Sequence, residues 1–284
     1  MEIYSHPIFS VQGRDFPGQE HPNRLSRVWN LVQETERVYS RDHDQDPEIR
    51  SKIEDVHNYI DTIQYTGPSY TTIDEERETF IDRLTYRAGI AAVVTSIYAA
   101  QAEGFALVRP PGHHAHADYT HGFCIFNNMA IAAKQLLKDG ERVLVLDLDI
   151  HHGCGTEELL KKEPDAKMIS LYQRGTKRDW PANNHFTYAK NCDHIPIKGE
   201  VHDKRYCKIF DKILPTIDAF QPTIIGVSLG LDTFEGEAYA WNLTGKSLQH
   251  IRQRLKGRRI FAILEGGYTE IAIEQGLAAF IEDP

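Results

Sequence analysis

The stretch Val-Leu-Val-Leu-Asp-Leu-Asp-Ile-His-His-Gly-Cys-Gly, from Val143 to Gly155, decides the fold of this chain. It opens with four apolar residues, which is typical of a short inner strand that a parallel sheet buries on both faces. Because side chains alternate along an extended strand, Asp147, Asp149 and His151 should point to one face at its carboxyl end. The two glycines favour a tight turn into a following helix.

Two aspartates at the end of a buried strand need a partner, because a buried carboxylate without one is costly. Open α/β sheets place their functional sites at this edge. The pattern therefore predicts a metal site with Asp149 and His151 as ligands. In the alternative interpretation, Asp147 and Asp149 cap the next helix and the histidines pack in the core.

The rest of the chain alternates between apolar runs and helical patterns. This predicts a three-layer α/β fold, a mostly parallel sheet with helices on both faces, in one domain over residues 1–284. Strands are predicted at residues 2–5, 105–108, 143–146, 168–172, 223–229 and 259–264. Helices are predicted at residues 24–37, 53–63, 80–102, 127–138, 204–214, 247–255 and 269–281, and near Thr156. A loop as long as 173–191 is usually functional or mobile.

Composition limits the partners and the compartment. A formal net charge of −9 over 284 residues argues against nucleic-acid binding and favours cationic ligands. No apolar run reaches the length of a membrane span, and the start lacks a signal-peptide pattern, so we expect a cytoplasmic protein without membrane contact. The four cysteines are scattered and show no CxxC spacing, so we expect reduced thiols.

A third metal ligand should come from another strand end, because a catalytic zinc site usually combines three protein ligands with an open position. Asp232 follows the apolar run at 223–229 and is the best candidate. An aspartate after a strand is commonly just a turn residue. Its pairing with Asp149 and His151 is what favours the ligand interpretation.

Two adjacent histidines, His113 and His114, follow the rigid sequence Pro-Pro-Gly. An imidazole titrates near the working pH, so the pair is a candidate general base with an electrostatic partner. Asp147 would accept a proton from one of these imidazoles and so fix its tautomer. In the alternative interpretations, the histidines bind metal or form a structured turn.

Tyr268 ends the sequence Glu-Gly-Gly-Tyr, which follows the last predicted strand. The glycines would allow its hydroxyl to reach the metal site and donate to an oxyanion, as an amide hydrolase requires. Glycines after a strand are also ordinary turn residues. A tyrosine beside them often packs without a catalytic role.

Five motifs carry a resemblance to one known superfamily. They are Arg-Pro-Pro-Gly-His-His (109–114), Gly-Phe-Cys-Ile-Phe-Asn-Asn (122–128), Asp-Leu-Asp-Ile-His-His-Gly (147–153), Ser-Leu-Gly-Leu-Asp-Thr-Phe (228–234) and Glu-Gly-Gly-Tyr (265–268). With these motifs the chain resembles, from about His21 onward, the histone deacetylase and acetylpolyamine amidohydrolase superfamily, and is class II-like. The resemblance implies an arginase-like fold with an eight-stranded parallel sheet, and zinc-dependent removal of acetyl from an amine.

The resemblance also implies roles for individual residues. It implies zinc ligands at Asp149, His151 and Asp232, and catalytic residues at His113, His114 and Tyr268. It implies a structural potassium ion held by Asp147 and Ser170 with backbone oxygens of Asp149, His151 and Leu171. It implies a substrate channel at Gly122, Phe123 and Trp180, and an acetate exit lined by Arg27.

Three features depart from the pattern of the superfamily. Cys154, a weak acceptor, stands where relatives carry Asp or Asn as the partner of His114. Tyr172 stands where many members have His. The chain between His57 and Phe105 lacks the long insertion through which bacterial acetylpolyamine amidohydrolases dimerise, so we expect a monomer or loose homodimer with an open site.

The substrate is predicted only as a class. The overall acidity, with Glu235 and Glu237 expected near the metal, favours a cationic acetylated amine, either an acetylpolyamine or an acetyl-lysine peptide. Ferrous iron is an alternative to zinc for such a ligand set. Alternative functions are a catalytically silent protein that binds acetylated ligands, an arginase-type di-metal hydrolase, and a redox role for Cys124 and Cys154.

Overall fold

Eight strands form one central sheet in the computed structural model, which describes residues 1–29, 37–38, 43, 45–67, 69–176, 179–239 and 241–282. In chain order the strands of this sheet are β1 (Ile3–Ser5), β2 (Arg37–Val38), β5 (Phe105–Ala106), β6 (Val143–Asp147), β7 (Ala166–Gln173), β8 (Cys192–Ile197), β10 (Ile224–Leu229) and β12 (Ile260–Leu264). Their spatial order is β2-β1-β5-β12-β10-β6-β7-β8, and every neighbouring pair is parallel. The predicted eight-stranded parallel sheet is therefore confirmed.

Helices flank this sheet. They are α1 (Pro47–Glu54), α2 (Thr85–Ala102), α3 (Asn128–Lys138), α4 (Cys154–Leu160), α5 (Asp203–Phe220), α6 (Gly245–Arg254) and α7 (Glu270–Ile281). Helix α2 packs against α3, whereas α6 packs against both α5 and α7 in a second group. Among the described residues, no helix combines the length and the apolar character needed to cross a bilayer.

Strand β6, which begins the stretch Val143–Gly155, is an inner strand of the sheet, third from the β8 edge. Every residue of β6 is buried, and the strand pairs with β10 on one side and β7 on the other. The register aligns Asp147 with Ser228 of β10 and with Ser170 of β7. Because all these strands are parallel, their carboxyl ends meet at one edge, and the loops that leave this edge carry the polar residues described below.

Some predicted elements differ from the observed ones. The predicted helix at 53–63 is instead the end of α1 followed by a separate 3₁₀ helix, Ile60–Ile63. Between them the ring of buried His57 bonds the backbone of His116 and Asn127, which holds the chain in a turn. Helix α2 begins five residues later than predicted, at Thr85, because Phe80–Ile81 (β4) pairs with Thr71–Thr72 (β3) in a small antiparallel ribbon.

Two further differences concern the ends of the sheet. The start of the predicted helix at 24–37 is a 3₁₀ turn, Pro22–Leu25, and residues 37–38 form strand β2; residues 30–36 lie outside the described part of the chain. Strand β8 was not predicted, because its sequence Cys-Asp-His-Ile-Pro-Ile shows no clean apolar run. A second small ribbon pairs Val201–His202 (β9) with Trp241–Asn242 (β11).

Candidate active site

Three predicted metal ligands converge at the carboxyl edge of the sheet. Asp149 and His151 lie just after β6, and Asp232 lies just after β10. One nitrogen of His151, Nδ1, is 3.1 Å from Asp149 Oδ1 and 3.2 Å from Asp232 Oδ2. One ligand atom from each residue lies within 4.8 Å of the others. The ends of β6 and β10 therefore bring together the three ligands that the sequence predicts.

Backbone groups fix both carboxylates in place. Asp149 accepts hydrogen bonds from the N–H of His151 at Oδ1 and of Gly266 at Oδ2, both at 2.9 Å. Asp232 Oδ1 accepts from the N–H of Ile150 at 3.2 Å. Glycine is required at 266, because a Cβ there would lie 2.5 Å from Asp232 Oδ2 and 2.6 Å from Asp149 Oδ2. The space between the carboxylates is thus kept open.

The electrostatics of this space favour a cation. Asp232 Oδ2 is fully buried and has no hydrogen-bond partner of good geometry among the described residues. Burial and the neighbouring Asp149 carboxylate raise the pKa of Asp232 to about 6. The pKa of Asp149 is lowered, because His113 and His151 outweigh its burial. Two carboxylates and one imidazole fit a divalent ion such as zinc or ferrous iron.

The two adjacent histidines, His113 and His114, lie side by side, with ring centroids 3.8 Å apart. His113 Nδ1 is 3.2 Å from Asp147 Oδ2, as the sequence predicts. Burial opposes the charge on His113, but Asp149 and Asp147 outweigh it and raise its pKa to about 10. Burial and the neighbouring His113 lower the pKa of His114. The pair therefore combines one cationic and one neutral imidazole.

Cys154 occupies the position expected for the partner of His114. Its Sγ lies 3.5 Å from His114 Nδ1, and also 3.3 Å from His116 Nε2 and 3.6 Å from His121 Nε2. Burial raises the pKa of this thiol well above its usual value. His114 therefore faces a neutral thiol where a carboxylate would hold its proton more firmly.

These groups open into one cavity of about 150 Å³. Its lining residues are Gln19, Glu78, Pro111, His113, His114, Gly122, Phe123, Asp149, His151, Trp180, Tyr239, Gly266 and Tyr268. The Trp180 ring meets the rings of His114 and His151 edge-on, with centroids 4.5 Å and 5.1 Å away. The Phe123 ring meets that of Tyr268 at 5.5 Å. The aromatic residues predicted for the channel therefore form walls of this cavity.

Tyr268 is held by contacts on three sides. Its N–H and that of Thr269 donate to Glu237 Oε1, at 3.0 Å and 2.7 Å. The guanidinium of Arg24 lies 4.8 Å from the ring centroid of Tyr268. Burial raises the pKa of Tyr268 well above 10, so the hydroxyl keeps its proton and can donate it in a hydrogen bond. Because Phe123 packs on the same ring, the side chain is positioned in the cavity wall.

The prediction that Arg27 lines an internal exit is wrong. Its side chain is 49% exposed and pairs with Glu270 and Glu274 of α7 at the surface. Arg24, three residues earlier, is fully buried instead and bonds Glu20 and the carbonyl of Glu265. The reason is that the 3₁₀ turn at 22–25 directs Arg24 inward, beneath Tyr268.

The expected positions of Glu235 and Glu237 also need correction. Glu235 is exposed, and Glu237 is bound to the backbone at Tyr268. Neither lines the cavity; its acidic side chains are Asp149 and Glu78. Sequence reasoning missed Glu78, Gln19 and Tyr239. Each lies in a loop without an adjacent motif, although Tyr239 contacts His151 edge-on at 4.7 Å.

A histone deacetylase domain model matches residues 18–283 of the chain. Histone deacetylase clr3 of Schizosaccharomyces pombe is 28% identical over 268 residues, which cover 87% of this chain and 38% of that protein. Histone deacetylase 15 of Arabidopsis thaliana is 32% identical over 239 residues, which cover 78% of this chain and 43% of that protein. The chain thus spans less than half the length of these two curated relatives.

Solved structures agree with this match. The crystal structure of the HD domain of HDA15 superposes with a TM-score of 0.84 and 25% identity, covering 99% of this chain and 88% of that one. An acetylpolyamine aminohydrolase from Burkholderia pseudomallei shares the fold, with a TM-score of 0.79 and 21% identity over 99% of this chain and 97% of that one. On the domain match and the shared fold, this chain belongs to the histone deacetylase family.

Proposed function

We propose that this chain is a metal-dependent deacetylase that hydrolyses the acetyl amide of a cationic amine. One observation carries the proposal: Asp149, His151, the His113–His114 pair and Tyr268 line one cavity, with Asp232 directly behind it. This arrangement brings a cation site, a proton acceptor and an oxyanion donor to the same small volume. An amide hydrolase needs these three functions together.

In this proposal Asp149, His151 and Asp232 hold zinc, which when bound supplies Lewis acidity toward a carbonyl oxygen and toward water. One histidine of the pair takes the proton of the attacking water and returns it to the leaving amine. His114 is favoured as the base, because burial and the neighbouring His113 lower its pKa and leave it neutral, whereas His113 already holds a proton. Tyr268 donates a hydrogen bond to the oxygen that becomes negative in the tetrahedral state.

A Tyr268→Phe variant tests this mechanism directly. The ring contacts with Phe123 and Arg24 persist in phenylalanine, so the variant should fold with an unchanged melting temperature. Loss of one oxyanion donor typically lowers kcat about a hundredfold or more. Acetate release should fall by that factor in zinc-loaded protein. A variant with wild-type kcat would exclude Tyr268 as the donor.

For the substrate we propose an acetylated amine that carries a positive charge. Glu78 supplies a carboxylate in the cavity wall, and burial raises its pKa, so a cation beside it would favour the charged form. Acetylpolyamines and acetyl-lysine peptides both meet this description. A side-by-side assay of acetylputrescine, acetylspermidine and an acetyl-lysine peptide separates them, with Glu78→Gln as the matched variant. The proposal requires KM for the preferred cationic substrate to rise in that variant.

A structural potassium ion is also proposed, with Asp147, Ser170 and the backbone oxygens of Asp149, His151 and Leu171 around it. In support, Ser170 Oγ is buried and has no hydrogen-bond partner among the described residues, and Ser170 aligns with Asp147 across the β6–β7 pair. A buried hydroxyl of this kind commonly bonds an ion or a water. Exchange of potassium for a larger organic cation in the buffer should lower the melting temperature.

A second candidate function is a protein that binds acetylated ligands without turnover. The specific observation is Cys154, a buried thiol in contact with His114. This candidate predicts saturable binding of acetylspermidine or acetyl-lysine peptide with no acetate released. It also predicts that Cys154→Asp, which restores a carboxylate partner, produces measurable turnover.

A further inference from the structure

A second group of metal-type ligands lies outside the catalytic cavity. His152, Glu157, Cys192 and His194 each offer one ligand atom, and these four atoms all lie within 4.8 Å of one another. His152 and Glu157 have no exposed side-chain surface, and Cys192 is 8% exposed. None of the four lines the cavity that contains Asp149 and His151.

The sheet register brings these residues together. Cys192 and His194 are two positions apart on β8, so their side chains lie on the same face of the sheet. Their partners on β7 are Met168 and Ser170. From the other side, His152 follows the β6 loop and Glu157 lies on α4.

Glu157 is the centre of the group. Its Oε2 is 2.9 Å from His152 Nε2, and its Oε1 is 3.0 Å from His194 Nε2. The N–H groups of Thr187 and Ala189 also donate to this carboxylate, at 3.1 Å and 2.7 Å. The opposite nitrogen of His194 is 3.3 Å from the Tyr172 hydroxyl, which orients its ring.

We propose that His152, Glu157, Cys192 and His194 form a second, closed site for a zinc-type divalent ion. Cysteine, histidine and glutamate are all zinc ligands, and four protein ligands are characteristic of structural zinc sites. Two nitrogen or oxygen ligands of a tetrahedral zinc ion lie about 3.3 Å apart. The two distances at Glu157 are only a few tenths of an ångström shorter, so a small expansion of the group admits the ion.

Such an ion would stabilise the active site indirectly. His152 is the residue directly after the metal ligand His151, and Thr187 and Ala189 belong to the loop that carries Trp180. An ion at the second site would join this loop, β8 and the end of the β6 loop. Loss of the ion should lower the melting temperature.

Cobalt substitution separates the two sites. The ligands Asp149, His151 and Asp232 contain no sulfur, so the first site cannot give the near-ultraviolet thiolate-to-cobalt band, whereas the second site, with Cys192, can. Metal-free protein titrated with Co²⁺ should bind two equivalents per chain and show this band. Cys192→Ser should lose the band, and His194→Asn should lose one equivalent. Cys207→Ser, which removes a partly exposed thiol on α5, is the control and should keep both.

Several outcomes would overturn the proposal. One is wild-type protein that binds one equivalent and shows no thiolate band, and this measurement needs no variant to fold. Another is a band that persists in Cys192→Ser and disappears in Cys154→Ser, because that result would locate the ion beside His114 and His121. Asp232→Asn, which affects the first site alone, should keep the band.

Discussion

A substitution of Gly122 by alanine should misplace His114, the proposed general base. Gly122 has φ +59°, and an added Cβ would lie 2.8 Å from His114 Cδ2 and 3.1 Å from Trp180 Cζ2. Carbon atoms pack at about 3.5–4.0 Å, so the ring of His114 must retreat by more than half an ångström. Trp180, which meets both His114 and His151, must move as well.

Gly140→Ala is the matched control for this experiment. Gly140 also has positive φ, +85°, but nothing lies within 4 Å of its added Cβ. Both variants carry a left-handed backbone cost of about 1–2 kcal/mol. Gly122→Ala adds the cost of moving His114 and Trp180, so its melting temperature should fall further.

Only the Gly122 variant should lose catalysis. A misplacement of about 1 Å costs about a hundredfold in rate, so a shift of half that size should lower kcat at least tenfold. The assay is acetate release by zinc-loaded protein, with kcat and KM measured separately. Equal kcat values for Gly122→Ala and Gly140→Ala would refute the idea that Gly122 positions His114.

Three further predictions concern stability and metal. Burial lowers the pKa of His57 from 6.5 to about 4. The contribution of neutral His57 to the free energy of unfolding is therefore fully present above pH 6.5 and is lost as the pH falls through about 4. This loss is about 3 kcal/mol. The free energy of unfolding, measured in urea across this pH range, should fall with pH in wild type and in a His250→Gln control, but not in His57→Gln. Arg24→Ala removes one partner of a buried ion pair and should destabilise the fold by about 3 kcal/mol or more, whereas exposed Arg27→Ala should leave the unfolding midpoint nearly unchanged. Chelation of zinc should abolish acetate release, and added zinc should restore it; activity that survives complete removal would contradict the assigned ligands.

The interior of the sheet and the convergence of the candidate metal ligands could be predicted from the sequence, because one local pattern determines both. An apolar run followed by alternating Asp, Asp and His specifies a buried strand and the face its end presents. Asp232 could be predicted for the same reason, since it follows another buried strand. Strand β8 lacks such a pattern: buried Cys192 is followed by half-buried Asp193, His194 and Ile195 and by exposed Pro196.

The arginine predicted for the acetate exit could not be assigned correctly, because the sequence pattern does not show where the local helix ends. Arg24 and Arg27 are three residues apart, so one continuous helix would place them near the same face. The predicted α-helix therefore leaves both positions plausible. In the structure the 3₁₀ helix ends at Leu25, so Arg24 lies within it and is buried, whereas Arg27 lies beyond its end and is exposed. The buried partner of Tyr268 is thus Arg24.

The residues missed in the cavity wall lie in loops whose course depends on distant contacts. Glu78 follows a turn in which Asp74 accepts from the N–H groups of Glu78 and Thr79. Thr79 Oγ1 in turn accepts from the N–H of Phe123 at 3.0 Å. The position of Glu78 therefore depends on Phe123, more than forty residues away, and no local sequence pattern predicts this position.

The cavity combines two kinds of support, and this division explains which parts of the site can vary. The carboxylates of Asp149 and Asp232 are held by the backbone N–H groups of Gly266 and Ile150, and the donor at 266 must be glycine because a Cβ there would meet both carboxylates. The walls depend on contacts between side chains, such as those of Trp180 with His114 and of Phe123 with Tyr268. Substitutions in the walls can therefore change the channel and leave the carboxylates in place. Substrate preference should follow the loops that carry Glu78 and Trp180, whereas the ability to bind metal should follow the strand ends.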